Sequence, residues 1–187
     1  MKRVFILAAC ACFLFGCNND KKDDAKTTES TMSATADKDS KPQATEFADA
    51  KYMDLGKKMS AQMSSGDIDG WLSNYSDKAA FRWSSGDSLI GKDAIGKYWK
   101  ERRNGVIDSI AFLNDIWMPI KVNTSQNQYE SPGVWLLSWY MVNVKYKNGK
   151  RLMFWVHADH HFDANDKIDE TVQYIDRAPI NAAVGHK

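Results

Sequence analysis

The fold is decided by residues 134–176, which read VWLLSWYMVNVKYKNGKRLMFWVHADHHFDANDKIDETVQYID. Two apolar, strand-like runs flank Asn148-Gly149, and a third run follows the turn at residues 163–167. Asn-Gly between such runs is typical of a two-residue type I′ turn, because both central residues of that turn need a positive φ. The stretch therefore predicts an antiparallel hairpin followed by a third strand.

The register of the predicted hairpin follows by counting outward from Lys147 placed opposite Lys150. One face would then carry Trp139, Met141, Asn143, Phe154, Val156, Ala158 and His160. The other face would carry Tyr140, Val142, Val144, Met153, Trp155, His157 and Asp159. Both sets are apolar and aromatic, whereas a sheet with one solvated face alternates apolar with polar residues. We therefore expect both faces of the sheet to be covered.

Residues 1–16 predict an export signal, because two basic residues precede an apolar run that is too short for a membrane span. Leu14-Phe15-Gly16-Cys17 resembles the lipobox of bacterial lipoproteins, in which the cysteine becomes the lipidated first residue. Cys10 fits a similar pattern but leaves too few apolar residues ahead of it, so Cys17 is preferred. A plain signal peptide with an incidental cysteine is the alternative.

Asn18 follows the preferred cysteine, where an aspartate would resemble a signal for retention in the inner membrane. The resemblance thus implies an outer-membrane lipoprotein of a Gram-negative bacterium, facing the periplasm or the cell surface. Residues 17–44 would be the lipidated cysteine and a disordered tether, because residues 18–44 contain no aromatic side chain and almost no apolar one. The charged run at residues 19–24 resembles a surface-export signal, or is simply part of a soluble linker.

Residues 45–180 form the predicted folded domain, and residues 181–187 a C-terminal tail. The three cysteines all lie within residues 1–17, so the domain can have neither a disulfide nor a thiolate nucleophile. The formal net charge of the chain is +1, which gives no basic field, and we expect no nucleic-acid partner.

Helices come first in the domain and strands follow, which indicates an α+β fold. Apolar residues at helical spacing predict helices over 47–63, from Asp67 to Tyr75, and over 93–103. Residues 79–83 predict a short strand, and residues 107–122 one or two extended segments.

Three motifs lie at residues 66–79, 90–99 and 161–176. In their order and spacing they resemble the SnoaL-like branch of the nuclear transport factor 2-like superfamily. The resemblance implies a cone-shaped, curved antiparallel sheet packed against three N-terminal helices, with a small, mostly apolar ligand in the mouth of the cone. Members of the superfamily include steroid isomerases, polyketide cyclases, dehydratases and proteins that only bind ligands or assemble.

The resemblance also assigns candidate site residues. The ligand pocket would be lined by Trp83, Trp139, Met141, Asn143, Phe154, Val156, His160 and Gln173. Steroid isomerases use a tyrosine, a protonated aspartic acid and an aspartate base, and the matching positions here are Met59, Ala158 and Trp83, so that mechanism is not expected. His160 is the candidate general acid or base, or else a histidine satisfied within the wall of the cone.

His157, Asp159 and His161 alternate along one strand and invite comparison with a metal site. Successive residues on one face lie about 6.6 Å apart, too far for all three to reach one zinc ion at about 2.0–2.2 Å. We expect no metal and no cofactor, and the sequence has no glycine loop that would hold a phosphate. The apolar stripe on the outer sheet face instead predicts a homodimer through that face.

Two functions are considered first, and a purely structural protein whose cavity is filled by its own side chains is a third possibility. The first is a lipid-anchored envelope protein that binds a small apolar or amphipathic molecule. The alternative is an enzyme of the cyclase, dehydratase or isomerase type that uses His160.

Overall fold

The structure is a computed structural model that describes residues 43–128 and 130–185. The predicted signal peptide, Cys17 and nearly all of the predicted tether lie outside these residues.

The described chain forms four α-helices and seven strands. The helices are α1 (Lys51–Ser65), α2 (Ile68–Leu72), α3 (Lys92–Glu101) and α4 (Ala178–Val184). The strands are β1 (Thr45–Phe47), β2 (Tyr75–Trp83), β3 (Ser88–Ile90), β4 (Ile107–Val122), β5 (Gly133–Tyr146), β6 (Arg151–Phe162) and β7 (Ile168–Tyr174). They make one sheet in the order β1-β4-β5-β6-β7-β2-β3. The predicted α+β class is therefore confirmed.

The first two helices are present as predicted, but their bounds differ: α2 ends at Leu72, and Tyr75, which was predicted to be helical, begins β2. Helix α1 begins at Lys51 and not at Phe47, because Phe47 pairs with Ile120 as part of β1. Helix α2 begins where predicted, and the Asp67 carboxylate accepts a hydrogen bond from the Gly70 amide as an N-cap.

Two helical features differ from the prediction. Helix α3 ends at Glu101, and a π-helical segment, Arg102–Val106, leads from it into β4. Helix α4 was not predicted, and it continues to Val184 through residues that the predicted boundaries placed in a tail. Its buried residues Ile180 and Ala183 pack in the same apolar cluster as β5 and β6.

The sheet is mixed and not purely antiparallel as predicted. Strand β2 runs parallel to β7, pairing Phe81 with Thr171 and Trp83 with Gln173. All the other pairs are antiparallel. The long strand β4 carries a bulge between Leu113 and Ile116, where Asn114 has a φ of 53°. Bulges bend a strand and increase its twist, which helps to curve the sheet.

The predicted two-residue turn in the β5–β6 hairpin was wrong. The Tyr146 amide donates to the Lys150 carbonyl at 2.8 Å, and the Gly149 amide donates to the Tyr146 carbonyl at 2.9 Å. Gly149 has a φ of 87°, whereas Asn148 is not among the residues with positive φ. The connection is thus a three-residue loop that closes on a left-handed glycine.

This turn shifts the register of the hairpin by one residue. Val142 pairs with Phe154 and Ser138 with Ala158. Because side chains alternate between faces, the shift places the β5 side chains on the face opposite to the predicted one. The β6 side chains lie on the predicted faces.

Helix α1 packs closely on the concave face of the sheet. A side chain at Gly56 would come within 2.6 Å of the Trp117 ring and 3.0 Å of Leu136. Glycine at this position therefore allows the helix to approach the sheet, while the rest of the concave face remains open to enclose a cavity.

Candidate ligand cavity

A cavity of about 120 Å³ lies on the concave face of the sheet, between its strands and all four helices. An engineered protein cavity of about 150 Å³ binds benzene. The space is therefore suited to a molecule with one ring.

Aromatic side chains form much of the cavity wall. Those that line it are Trp71, Tyr75, Phe81, Trp83, Tyr98, Trp99, Phe112, Trp117, Tyr140, Tyr146 and Phe154. Several of them contact one another at an angle, such as Phe81 with Trp83 at 4.9 Å and Trp83 with Tyr98 at 5.3 Å between ring centroids. Such mutual packing holds the wall in a defined shape.

The structure divides the predicted pocket residues into two groups. Trp83, Phe154, Val156, His160 and Gln173 line the cavity.

Trp139, Met141 and Asn143 lie on the opposite, outer face of the sheet, because their strand is shifted by one residue. Tyr140, Val142 and Val144, which were predicted to face outward, line the cavity in their place.

His160 lines the cavity and is buried, with 8% of its surface exposed. Its Nδ1 lies 2.9 Å from the Thr171 hydroxyl oxygen, which lies 3.3 Å from the Tyr75 hydroxyl. In the part of the chain that the structure describes, no partner is found for its Nε2. The ring can present this nitrogen as a donor or an acceptor, depending on the direction of the hydrogen bonds through Thr171.

Burial lowers the pKa of His160 to about 4, and the nearby His157 contributes in the same direction. The imidazole is thus neutral near neutral pH. Burial likewise raises the pKa of Tyr140 to about 12, so its phenol also stays neutral. A second polar contact crosses the wall where the Trp83 indole donates to the Gln173 amide oxygen at 3.0 Å.

The charged residues that line the cavity, apart from the titratable His160, are Arg102 and Arg177. Arg177 pairs with Asp87 and lies 5.0 Å from the centre of the Trp83 ring. Arg102 lies 5.5 Å from the centre of the Tyr98 ring. No aspartate or glutamate is among the described lining residues.

Comparison with solved structures finds the same architecture in several bacterial proteins. A proposed polyketide cyclase from Xanthomonas campestris superposes with a TM-score of 0.55 at 15% identity, over 71% of this chain and 95% of that one. A protein of unknown function from Burkholderia pseudomallei, described as nuclear transport factor 2-like, gives 0.56 at 12% identity over 71% and 95%. The chain has the nuclear transport factor 2-like fold.

A proposed isomerase from Bacillus subtilis shares this fold, with a TM-score of 0.55 at 14% identity over 73% of this chain and 94% of that one. The sequence matches no protein-family model and no curated protein.

Met59, Ala158 and Trp83, which the sequence resemblance matches to the functional groups of steroid isomerases, all line the cavity. None of them carries a carboxyl or a phenol. Tyr75 is buried, its hydroxyl oxygen lies 3.3 Å from that of Thr171, and burial raises its pKa further from neutrality.

His157 and His161, which were considered above as metal ligands, lie on the outer face of β6. His157 Nε2 lies 3.1 Å from Asp159 Oδ1, at an ion-pair distance but without hydrogen-bond geometry. His161 Nδ1 lies 2.6 Å from Asp169 Oδ1. The two histidines thus belong to separate pairs, and no set of three metal-ligating side chains is found within residues 43–128 and 130–185.

Large apolar side chains are exposed on this outer face. They are Phe47, Leu113, Ile116, Met118, Met153, Trp155 and Tyr174. No helix among the described residues is long and apolar enough to cross a membrane.

Proposed function

We propose that this protein binds a small apolar or amphipathic molecule in the cavity. The observation that supports this most strongly is a cavity of about 120 Å³ with aromatic walls, which is also lined by His160, a residue whose Nε2 has no partner among the described residues. Binding sites for small molecules are typically concave and apolar, with few polar groups to orient the ligand.

Calorimetric titration with indole, phenol and cyclohexanol tests the binding proposal. Ala158 lines the cavity and is 1% exposed, so Ala158→Leu would fill part of the space. We expect at least one probe to bind, and the variant to weaken that binding by about tenfold or more. Ala158→Val is a milder change, and Met153→Leu on the outer face is the matched control. Failure of every probe to bind, or equal binding by Ala158→Leu, would contradict the proposal.

The alternative is an enzyme of the cyclase, dehydratase or isomerase type. It is favoured by the hydroxyl groups of Thr171 and Tyr75, which continue the hydrogen-bond chain from Nδ1 of His160. The direction of these hydrogen bonds could change when the ring gains or loses a proton. It is opposed by the low pKa of His160, near 4, because general acids and bases work best with pKa values near the operating pH. The absence of a carboxylate among the described lining residues opposes it as well.

His160→Gln separates the two functions. Turnover of small hydrophobic carbonyl compounds that is lost in this variant, while binding is retained, would favour the enzyme. Absence of turnover in both forms would favour a binding protein.

The proposal places this cavity in the cell envelope, anchored through a lipid on Cys17. Its support is the lipobox-like sequence ending at Cys17 and the polar stretch that follows. Metabolic labelling with a fatty-acid analogue should mark the intact chain and the Cys10→Ser variant, but not Cys17→Ser. Labelling that persists in Cys17→Ser would contradict the anchor.

The outer sheet face is proposed as the surface of a homodimer. Ile116, Met153 and Trp155 are 53%, 59% and 51% exposed, and contiguous apolar surface of this kind is typical of protein interfaces. The predicted stripe is revised, because Tyr140, Val142 and Val144 face the cavity. Sedimentation of the chain without residues 1–44 should show dimers, and only monomers at high concentration would exclude this surface.

A further inference from the structure

The charges around the cavity are not balanced. Both of its arginines are positive, and no carboxylate is among the described lining residues. Arg177 has Asp87 as an ion-pair partner. For Arg102, the structure shows no carboxylate partner within residues 43–128 and 130–185. One positive charge on the wall of an aromatic cavity is therefore left uncompensated.

The position of Arg102 suits it to contact a ligand. It is the first residue of the π-helical segment and is half-buried, and its guanidinium lies over the Tyr98 ring, which also lines the cavity. A guanidinium that lies over an aromatic ring contacts the ring with its planar face, and the N–H groups of the guanidinium point outward from its edges. Those donors match the two oxygens of a carboxylate.

We infer that the natural ligand is a small ring compound bearing one carboxylate, which Arg102 binds while the ring occupies the aromatic cavity. This inference rests on the proposed binding function and names the class of ligand. A single carboxylate fits better than a phosphate monoester, because one uncompensated arginine balances one negative charge. A phosphate monoester carries about 1.5 to 2 charges near neutral pH.

In the alternative case, Arg102 only packs its side chain against the aromatic rim and does not bind the ligand through its charge. In that case the cavity would bind an acid and its neutral amide equally well. A matched pair of probes, phenylacetate and phenylacetamide, separates these cases because the two differ mainly in charge.

The experiment measures binding of both probes by titration calorimetry at neutral pH and low salt. We expect the wild-type protein to prefer phenylacetate by roughly tenfold or more, since hydrogen bonds to charged groups are the stronger ones. Arg102→Gln should remove the preference, and Arg102→Lys should retain part of it. Arg151→Gln is the control, since Arg151 is exposed at the start of β6 and does not line the cavity.

A salt titration of the unaltered protein gives a second readout that does not depend on the folding of any variant. Added salt should weaken the binding of phenylacetate and leave that of phenylacetamide unchanged, because salt screens the charge interaction.

Equal affinity for the two probes, or a preference that survives in Arg102→Gln, would overturn the inference. Binding of neither probe would overturn it too. The proposed cavity function would then still stand if indole, phenol or cyclohexanol binds, so the two failures can be told apart.

Discussion

The two faces of β6 place the same residue type in two different environments. His160 points into the cavity, bonded through Nδ1 to the hydroxyl of Thr171, and burial lowers its pKa. His157 and His161 point outward, and each lies beside a carboxylate. The inner face therefore keeps its histidine neutral, while the outer face pairs its histidines with acids.

The apolar residues differ between the faces in a similar way. Val142 and Val156 on the inner face are 5% and 2% exposed, whereas Met153 and Trp155 on the outer face are more than half exposed. Both faces are apolar in sequence, but among residues 43–128 and 130–185 only the inner one is covered by the rest of the chain. Apolar composition alone thus does not reveal which face forms the core.

The largest effect is expected from a charge placed on one face or the other. Val142→Asp buries an unpaired carboxylate and should lower the free energy of unfolding by more than about 4 kcal/mol. Asn143→Asp, one residue away on the outer face, should change it by no more than about 1 kcal/mol. Urea denaturation followed by tryptophan fluorescence measures both. If Asn143→Asp lowered the free energy of unfolding more than Val142→Asp, the hairpin would have the two-residue turn and the register that the sequence predicted.

A pH titration should reveal the burial of His160. An unfolded histidine has a pKa of about 6.5, and that of His160 in the folded protein is about 4. Between these values the unfolded chain binds a proton that the folded chain does not, so stability should fall as the pH is lowered from 6.5 to 4. The loss due to His160 is on the order of 3 kcal/mol.

Denaturation of the wild type and of His160→Gln across this pH range measures the effect. The variant should lose less stability on acidification, and the two proteins should differ by a constant amount at higher pH. NMR titration of the His160 ring should give a midpoint near 4. A midpoint near that of free histidine would show that the ring faces water.

The turn that sets the two faces can be tested directly. Gly149 has a φ of 87° and has room for a methyl group, so Gly149→Ala should cost about 1 kcal/mol through backbone strain alone. Gly105 also has open space around it but lacks a positive φ, which makes Gly105→Ala a matched control with little or no cost. Thermal denaturation measures both. Equal effects of the two changes would count against the left-handed turn.

The smallest effect on folding is expected on the outer face. Trp155→Glu removes an exposed side chain and should change the unfolding free energy of the monomer by about 0.5 kcal/mol or less. It should nevertheless convert dimers to monomers, because it places a charge in the proposed interface. Sedimentation measures this, with Lys57→Glu on the exposed side of α1 as the control. Unchanged dimers in Trp155→Glu would place the interface elsewhere.

The sequence predicted each strand's alternation but not how the strands fit together. Phe154, Val156 and His160 share a face because of their spacing within β6, whatever strand lies beside it. The relation of β5 to β6 depends on the turn, and Asn-Gly is compatible with a two-residue or a three-residue loop. These differ by one residue, which was enough to misplace Trp139, Met141 and Asn143.

Other features depend on contacts between distant parts of the chain. The run from Ala79 to Trp83 indicates a strand but does not indicate that its neighbour is β7 or that the pair is parallel. Helix α4 has only seven residues, too few for a clear helical pattern. The sequence predicted Arg102 as part of the third helix, whereas it begins the π-helical segment and lines the cavity.

The binding proposals all require that the inner face of the sheet is the wall of the ligand cavity. NMR of the methyl-labelled protein with bound indole tests this directly, through magnetisation transfer between indole protons and protein methyl groups. We predict transfer to the methyls of Val142, Val156 and Ala158, and none to those of Met141 and Met153. Transfer to Met141 and Met153 with none to the inner methyls would contradict the account.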